Sequence, residues 1–127
     1  MPPPGRTTIL VIDDDRSMDL LVAGMLRSAG YNVLMAMDPV QGYRMVQQDK
    51  PSLILLDLQM PAGGGLQLLE RLLGSTKTHA IPVIIMSATP ASEKAAELLA
   101  LGAVGYLEKP FDAPVLLGAV TKALSAG

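Results

Sequence analysis

Polar residues stand where the strand-like runs of this chain stop. Ile9-Leu-Val-Ile12 runs into Asp13-Asp14-Asp15 and Leu53-Ile-Leu-Leu56 into Asp57, while Val83-Ile-Ile-Met86 closes on Ser87 and Gly105-Tyr-Leu-Glu108 on Lys109. Carboxylates gathered in one place repel, raise one another's pKa and favour a bound cation. The chain has no Cys and a single His, His79, so thiolate zinc and multi-histidine sites are excluded and any metal must be held by oxygen. One or two carboxylates completed by water and phosphate oxygens form the usual environment of Mg²⁺. An ammonium at Lys109 and a hydroxyl at Ser87, facing the same cluster, would cradle an anion with several oxygens. A phosphoryl group fits that description. An Asp carboxylate can be the nucleophile that carries it, with Mg²⁺ and Lys neutralising the charge on its oxygens.

That chemistry requires the run-ends to meet at one edge of a sheet. Five strand candidates, Ile9–Ile12, Asn32–Ala36, Leu53–Leu56, Val83–Met86 and Gly105–Glu108, alternate with helical segments. Three of the runs are unbroken and apolar, as a parallel sheet covered on both faces requires. Helices are predicted over Ser17 to Ala29, stopped by Gly30, and from an N-cap at Asp38 with Pro39 in the first turn. Further helices run from Leu66 to Leu73 before Gly74, from Pro90 to Leu101 before Gly102, and from a cap at Asp112 to about Ser125. The alternation implies an α/β fold, a doubly wound parallel sheet with right-handed crossovers. Ligands of such sheets bind at the carboxyl ends of the strands, beside the point where strand order reverses. If the order is 2-1-3-4-5, the first and third strands are neighbours and bring Asp13, Asp14 and Asp57 together. Asp15 is expected to be a solvated helix N-terminus. The second strand offers only a helix cap.

Composition narrows the class. The 127 residues carry 10 Lys plus Arg against 12 Asp plus Glu, a net charge of -2, and half the chain is hydrophobic. A single domain of that size buries roughly two thirds of its unfolded surface and folds without staples. With only three Tyr and one Phe and no basic stripe, a nucleic-acid surface is not expected. Leu98 to Leu107 is about half a membrane span and contains two glycines, and Met1-Pro-Pro-Pro-Gly5 lacks the pattern of a signal peptide. A cytoplasmic protein without membrane contact is expected, with residues 1–7 a flexible leader and residues 8–127 one domain. The eight Met residues are scattered and read as core filler, and His79 as a surface residue.

Four segments, Ile9-Leu-Val-Ile-Asp-Asp-Asp15, Leu55-Leu-Asp-Leu-Gln-Met-Pro61, Pro82-Val-Ile-Ile-Met-Ser-Ala88 and Gly105-Tyr-Leu-Glu-Lys-Pro-Phe111, resemble the receiver domain of bacterial two-component response regulators. The likeness runs from about Thr8 to Leu124. It implies a flavodoxin-like five-stranded sheet of order 2-1-3-4-5 with helices on both faces. It also implies a phosphorylation-activated switch that accepts a phosphoryl group on Asp57 from a phosphohistidine donor, a histidine kinase or histidine phosphotransfer protein. Such a chain is not a turnover enzyme but an acceptor that assists its own phosphorylation and dephosphorylation. By the same resemblance Asp14 is a direct Mg²⁺ ligand, Asp13 a ligand acting largely through water, and the Gln59 carbonyl completes the protein's share. Ser87 resembles the switch hydroxyl, Lys109 its ion-pair partner, and Tyr106 the aromatic that turns inward behind it. Lys109-Pro110 resembles the family's cis peptide, and the small Ala88 would leave the acceptor open to its donor.

There are departures from the family pattern. Where a Met-Asp-Gly turn is common, this chain reads Ala62-Gly63-Gly64-Gly65, and three glycines raise the entropy of the loop beside the site. Val104 and Gly105 stand where acidic residues often support a charged dimer. The last two helices carry more apolar residues than one buried stripe needs, so the face made by the fourth helix, fifth strand and fifth helix is expected to dock a downstream partner or a second copy by packing. Two other functions remain open on the residues alone. Asp13-x-Asp15 resembles the nucleophile motif of haloacid dehalogenase-type phosphatases, and a pseudo-receiver would bind partners without phosphorylation. No output sequence follows Gly127, which leaves both a stand-alone receiver and a domain of a longer regulator open.

Overall fold

The computed structural model describes residues 6–125, so most of the expected leader lies outside the described residues. Five parallel strands, β1 (Thr8–Ile12), β2 (Asn32–Ala36), β3 (Leu53–Asp57), β4 (Val83–Ser87) and β5 (Gly105–Glu108), form one sheet in the order β2-β1-β3-β4-β5. Five helices alternate with them: α1 (Arg16–Ser28), α2 (Pro39–Asp49), α3 (Gly64–Leu73), α4 (Ala91–Leu101) and α5 (Ala113–Ser125). The expected topology is therefore borne out. Thr7 already joins the ladder, its carbonyl accepting the Asn32 N–H at 2.9 Å.

Strand residues alternate between two cores, as a period of two requires. Ile9, Val11, Leu53, Leu55, Ile84 and Met86 pack with α1 and α5, whereas Leu10, Ile12, Ile54, Leu56, Val83 and Ile85 pack with α2, α3 and α4. Burying both faces explains the unbroken apolar runs, each large side chain contributing about 1.5–3 kcal/mol. Local signals set the helix starts. Asp15 caps α1 by accepting the N–H groups of Ser17 and Met18, and Asp38 caps α2 by accepting that of Gln41. No helix among the described residues is long and apolar enough to cross a membrane.

The largest difference from expectation lies at α3. The helix starts at Gly64 rather than Leu66, after a single 3-10 turn over Pro61–Gly63. Gly63 takes a left-handed φ of 72°, and the other two glycines are the buried first turn of the helix rather than loop. A Cβ on Gly65 would come to 2.5 Å from the Asp57 carbonyl oxygen and 2.6 Å from that of Leu58. The glycine run is thus a close approach of helix to strand end, and packing overrides the poor helix propensity of glycine.

Candidate functional site

Continuing the alternation places the polar residues. The series Ile9, Val11 arrives at Asp13, the series Leu53, Leu55 at Asp57, and Leu107 of β5 leads to Lys109, all on the side of α1 and α5. The structure joins these three. Lys109 Nζ lies 3.2 Å from Asp13 Oδ2 and 3.4 Å from Asp57 Oδ1. Ladder bonds beyond the strands position the backbones: the Asp13 N–H donates to the Ala36 carbonyl at 3.1 Å and the Lys109 N–H to the Ser87 carbonyl at 2.8 Å. The Lys109-Pro110 bond is cis, as expected.

Asp13 and Asp57 are buried, at 0% and 3% exposure, while Asp14 is exposed at the rim. One oxygen from each of Asp13, Asp14 and Asp57 lies within 4.8 Å of the others. Burial pushes the Asp13 carboxyl up, the Asp15 N–H opposes that, and the neighbouring Asp57 charge adds to it. Burial would lower the Lys109 ammonium, but Asp13 and Asp57 outweigh it and hold the group above the ordinary lysine value. Three carboxyl groups face one ammonium, an excess of acidic groups that a divalent cation would offset. The donor set is all oxygen and fits a hard ion such as Mg²⁺.

Ser87 and Tyr106 lie on the opposite parity, with the α2–α4 core. Ser87 is fully buried and its hydroxyl accepts the Thr89 N–H at 3.1 Å. Tyr106 is half-buried against that core and its hydroxyl donates to the Thr89 carbonyl at 2.8 Å. Gln59 bridges the strand ends. Its N–H donates to Asp57 Oδ1 at 3.0 Å, and its side-chain oxygen accepts the Ala88 N–H at 2.8 Å. His79 is exposed in the loop before β4, with Nδ1 3.2 Å from the Ser75 carbonyl.

Two participants escaped the sequence reading. Asp19 of α1 is 1% exposed with no hydrogen-bond partner on either carboxylate oxygen. Its signal was phase, since it shares the inward face with Val22, Ala23 and Leu26. Glu108 follows Leu107 on β5 and its carboxylate accepts the Ala91 N–H at 2.8 Å, supplying α4 with the cap that Pro90 lacks. Only the three-dimensional placement of α4 reveals that contact.

Comparison with known proteins gives a consistent result. The family model for the response regulator receiver domain matches residues 9–121. The chain is 38% identical over 112 residues to the DNA-binding dual master transcriptional regulator RpaA of Synechocystis sp., covering 88% of this chain and 46% of that protein. It is 35% identical to the phosphate regulon transcriptional regulatory protein PhoB of Pseudomonas aeruginosa, covering 83% of this chain and 46% of that one. The chain thus spans about half the length of these curated relatives. Among solved structures, a chemotaxis protein of Vibrio cholerae superposes with a TM-score of 0.86 at 27% identity, covering 94% of this chain and 99% of that one. A sensor protein from Polaromonas sp. superposes with a TM-score of 0.88 at 26% identity, covering 95% and 98%.

Proposed function

The chain belongs to the response regulator receiver domain family, whose members are phosphoryl-accepting signalling switches, and we propose that Asp57 is the acceptor in this one. The observation that carries the proposal is the position of Lys109 between Asp13 and Asp57, with Asp14 completing a three-carboxylate cluster. Lys109 and the Gln59 N–H both engage Asp57 Oδ1, which fixes the orientation of the nucleophilic carboxylate before a donor arrives. In the transfer an Asp57 oxygen forms a bond to phosphorus and the bond from phosphorus to the donor's imidazole nitrogen breaks. The imidazole keeps the electron pair and takes a proton from solvent.

Asp13, Asp14 and Asp57, with the Gln59 carbonyl, would hold Mg²⁺, which supplies charge neutralisation for the phosphoryl oxygens. Lys109, held against Asp13 and Asp57, places a cation beside the acceptor, and the Ser87 hydroxyl offers a hydrogen-bond donor. The donor is a histidine kinase or a histidine phosphotransfer protein in the cytoplasm. The face of α4, β5 and α5 passes the signal to a downstream protein or a second copy. A dehalogenase-type reading would need Asp13 as nucleophile and would leave the buried Asp57, held by Lys109 and the Gln59 N–H, with no part.

Mass spectrometry after acetyl phosphate treatment tests the assignment. The wild type should gain one phosphoryl group only with Mg²⁺, and Asp57→Asn should gain none. Modification that persists in Asp57→Asn overturns it.

A further inference from the structure

The two strands beside the acceptor end in an irregular way. In the β3–β4 ladder Asp57 is opposite Met86, and the Leu58 N–H still donates to the Met86 carbonyl at 3.0 Å. By that register the next rung would run from the Ala88 N–H to the Leu58 carbonyl. It is replaced. The Ala88 N–H instead donates to the side-chain oxygen of Gln59 at 2.8 Å, and the Gln59 amide nitrogen reaches Thr89 Oγ1 at 3.4 Å. Gln59 is exposed, so its hydrogen bonds rather than burial hold the side chain in this position. Its backbone N–H is at the same time 3.0 Å from Asp57 Oδ1. The residue therefore stretches from the acceptor carboxylate to the main-chain donor at the tip of β4.

A phosphoryl group on Asp57 brings three oxygens into that interval, each seeking donors. The Ala88 N–H is a neutral donor on a fixed strand end, and in the resting protein it is already taken. Resting on the assignment of Asp57 as acceptor, we propose that the Gln59 side chain is a removable rung that competes with the phosphoryl group for the Ala88 N–H, so that loading must displace it. Release also frees Thr89 Oγ1, and the next residue contact along that loop is the Thr89 carbonyl that holds the Tyr106 hydroxyl. Displacement of Gln59 thereby links the occupied acceptor to Tyr106 through residues Ala88 and Thr89. Gln59 acts here as a positioning residue, through the loop rather than on the phosphorus.

Two variants, Gln59→Ala and Gln59→Met, remove the side-chain oxygen that accepts the Ala88 N–H; the second keeps the length of the side chain. Without any phosphoryl mimic, amide hydrogen exchange at Ala88 should quicken about 3- to 10-fold in both, the worth of one net hydrogen bond. At saturating Mg²⁺, both should bind beryllofluoride about 3- to 10-fold more tightly than the wild type, because the competitor is gone. A residue that merely braced the loop would give the opposite sign, weaker binding. Unchanged Ala88 exchange, or unchanged or weaker beryllofluoride binding in both folded variants, overturns the proposal. Asp57→Asn is the separate control: its binding of beryllofluoride would overturn the acceptor assignment instead, while the exchange measurement still judges the rung.

Discussion

Asp19 is the residue whose burial has least compensation, and its titration is the measurable result. Burial pushes its carboxyl up to about 7, the charges of Asp13, Asp15 and Asp14 add to that, and Lys109 opposes it. In the unfolded chain the group returns to its ordinary value of 3.8. Between those two values the folded state holds a proton that the unfolded state has lost, so stability falls as pH rises through the window and levels off above it. The contribution is at most about 1.4 kcal/mol per pH unit. Urea unfolding without Mg²⁺ at pH 5, 6, 7 and 8 should show Asp19→Asn gaining on the wild type as pH rises. Parallel curves for the two proteins would contradict this. Asp13, Asp57 and Lys109 were legible in the sequence because each ends a strand, where alternation and the site rule for open sheets decide its place. Asp19 was not, because an acidic residue in the first turn of a helix reads as a solvated complement to the dipole. Its phase with Val22 and Leu26 shows otherwise.

Element by element, the strands were read within one residue and most helix ends within one, since caps and apolar runs are local signals. The start of α3 was misread, because a glycine that permits close approach looks in sequence like a glycine that loosens a loop. The distinction has a test at Gly65. An added Cβ would meet the carbonyl oxygens of Asp57 and Leu58, which are backbone and cannot swing aside. Gly65→Ala should lose about 1–3 kcal/mol in chemical denaturation and shift the NMR resonances of Asp57. Gly24→Ala, where nothing lies within 4 Å of the added carbon, is the control and should be neutral or stabilising. Equal effects at the two sites would return Gly65 to the status of a loop residue. The ties on the β4–α4 connection, from Gln59, Tyr106 and Glu108, were illegible for a different reason: each joins residues distant in sequence by way of a flexible or long side chain.

At the scale of the whole molecule, large apolar side chains stand exposed both on the face expected to dock a partner and away from it. Leu99, Leu101, Val104 and Val115 are 44–54% exposed on or beside α4, β5 and α5, as the excess of apolar residues there led us to expect. Leu20 and Leu21 of α1, at 53% and 55%, Val40 of α2, at 68%, and Leu66 of α3, at 38%, are exposed away from that face and were not anticipated. Light scattering with and without beryllofluoride should show association that strengthens with the mimic and survives half-molar salt, since packing rather than ion pairing would hold it. A monomer under both conditions would eliminate self-association, and loss of the complex at modest salt would rule out the apolar contact. The same sheet that supports this surface also separates two kinds of residue, with Asp13, Asp57 and Lys109 on the α1 and α5 side and Ser87 and Tyr106 on the α2–α4 side. Exchanging α4 for another helix would therefore rebuild the layer packed beside Tyr106 while leaving the opposite layer, where Asp13, Asp57 and Lys109 sit, in place.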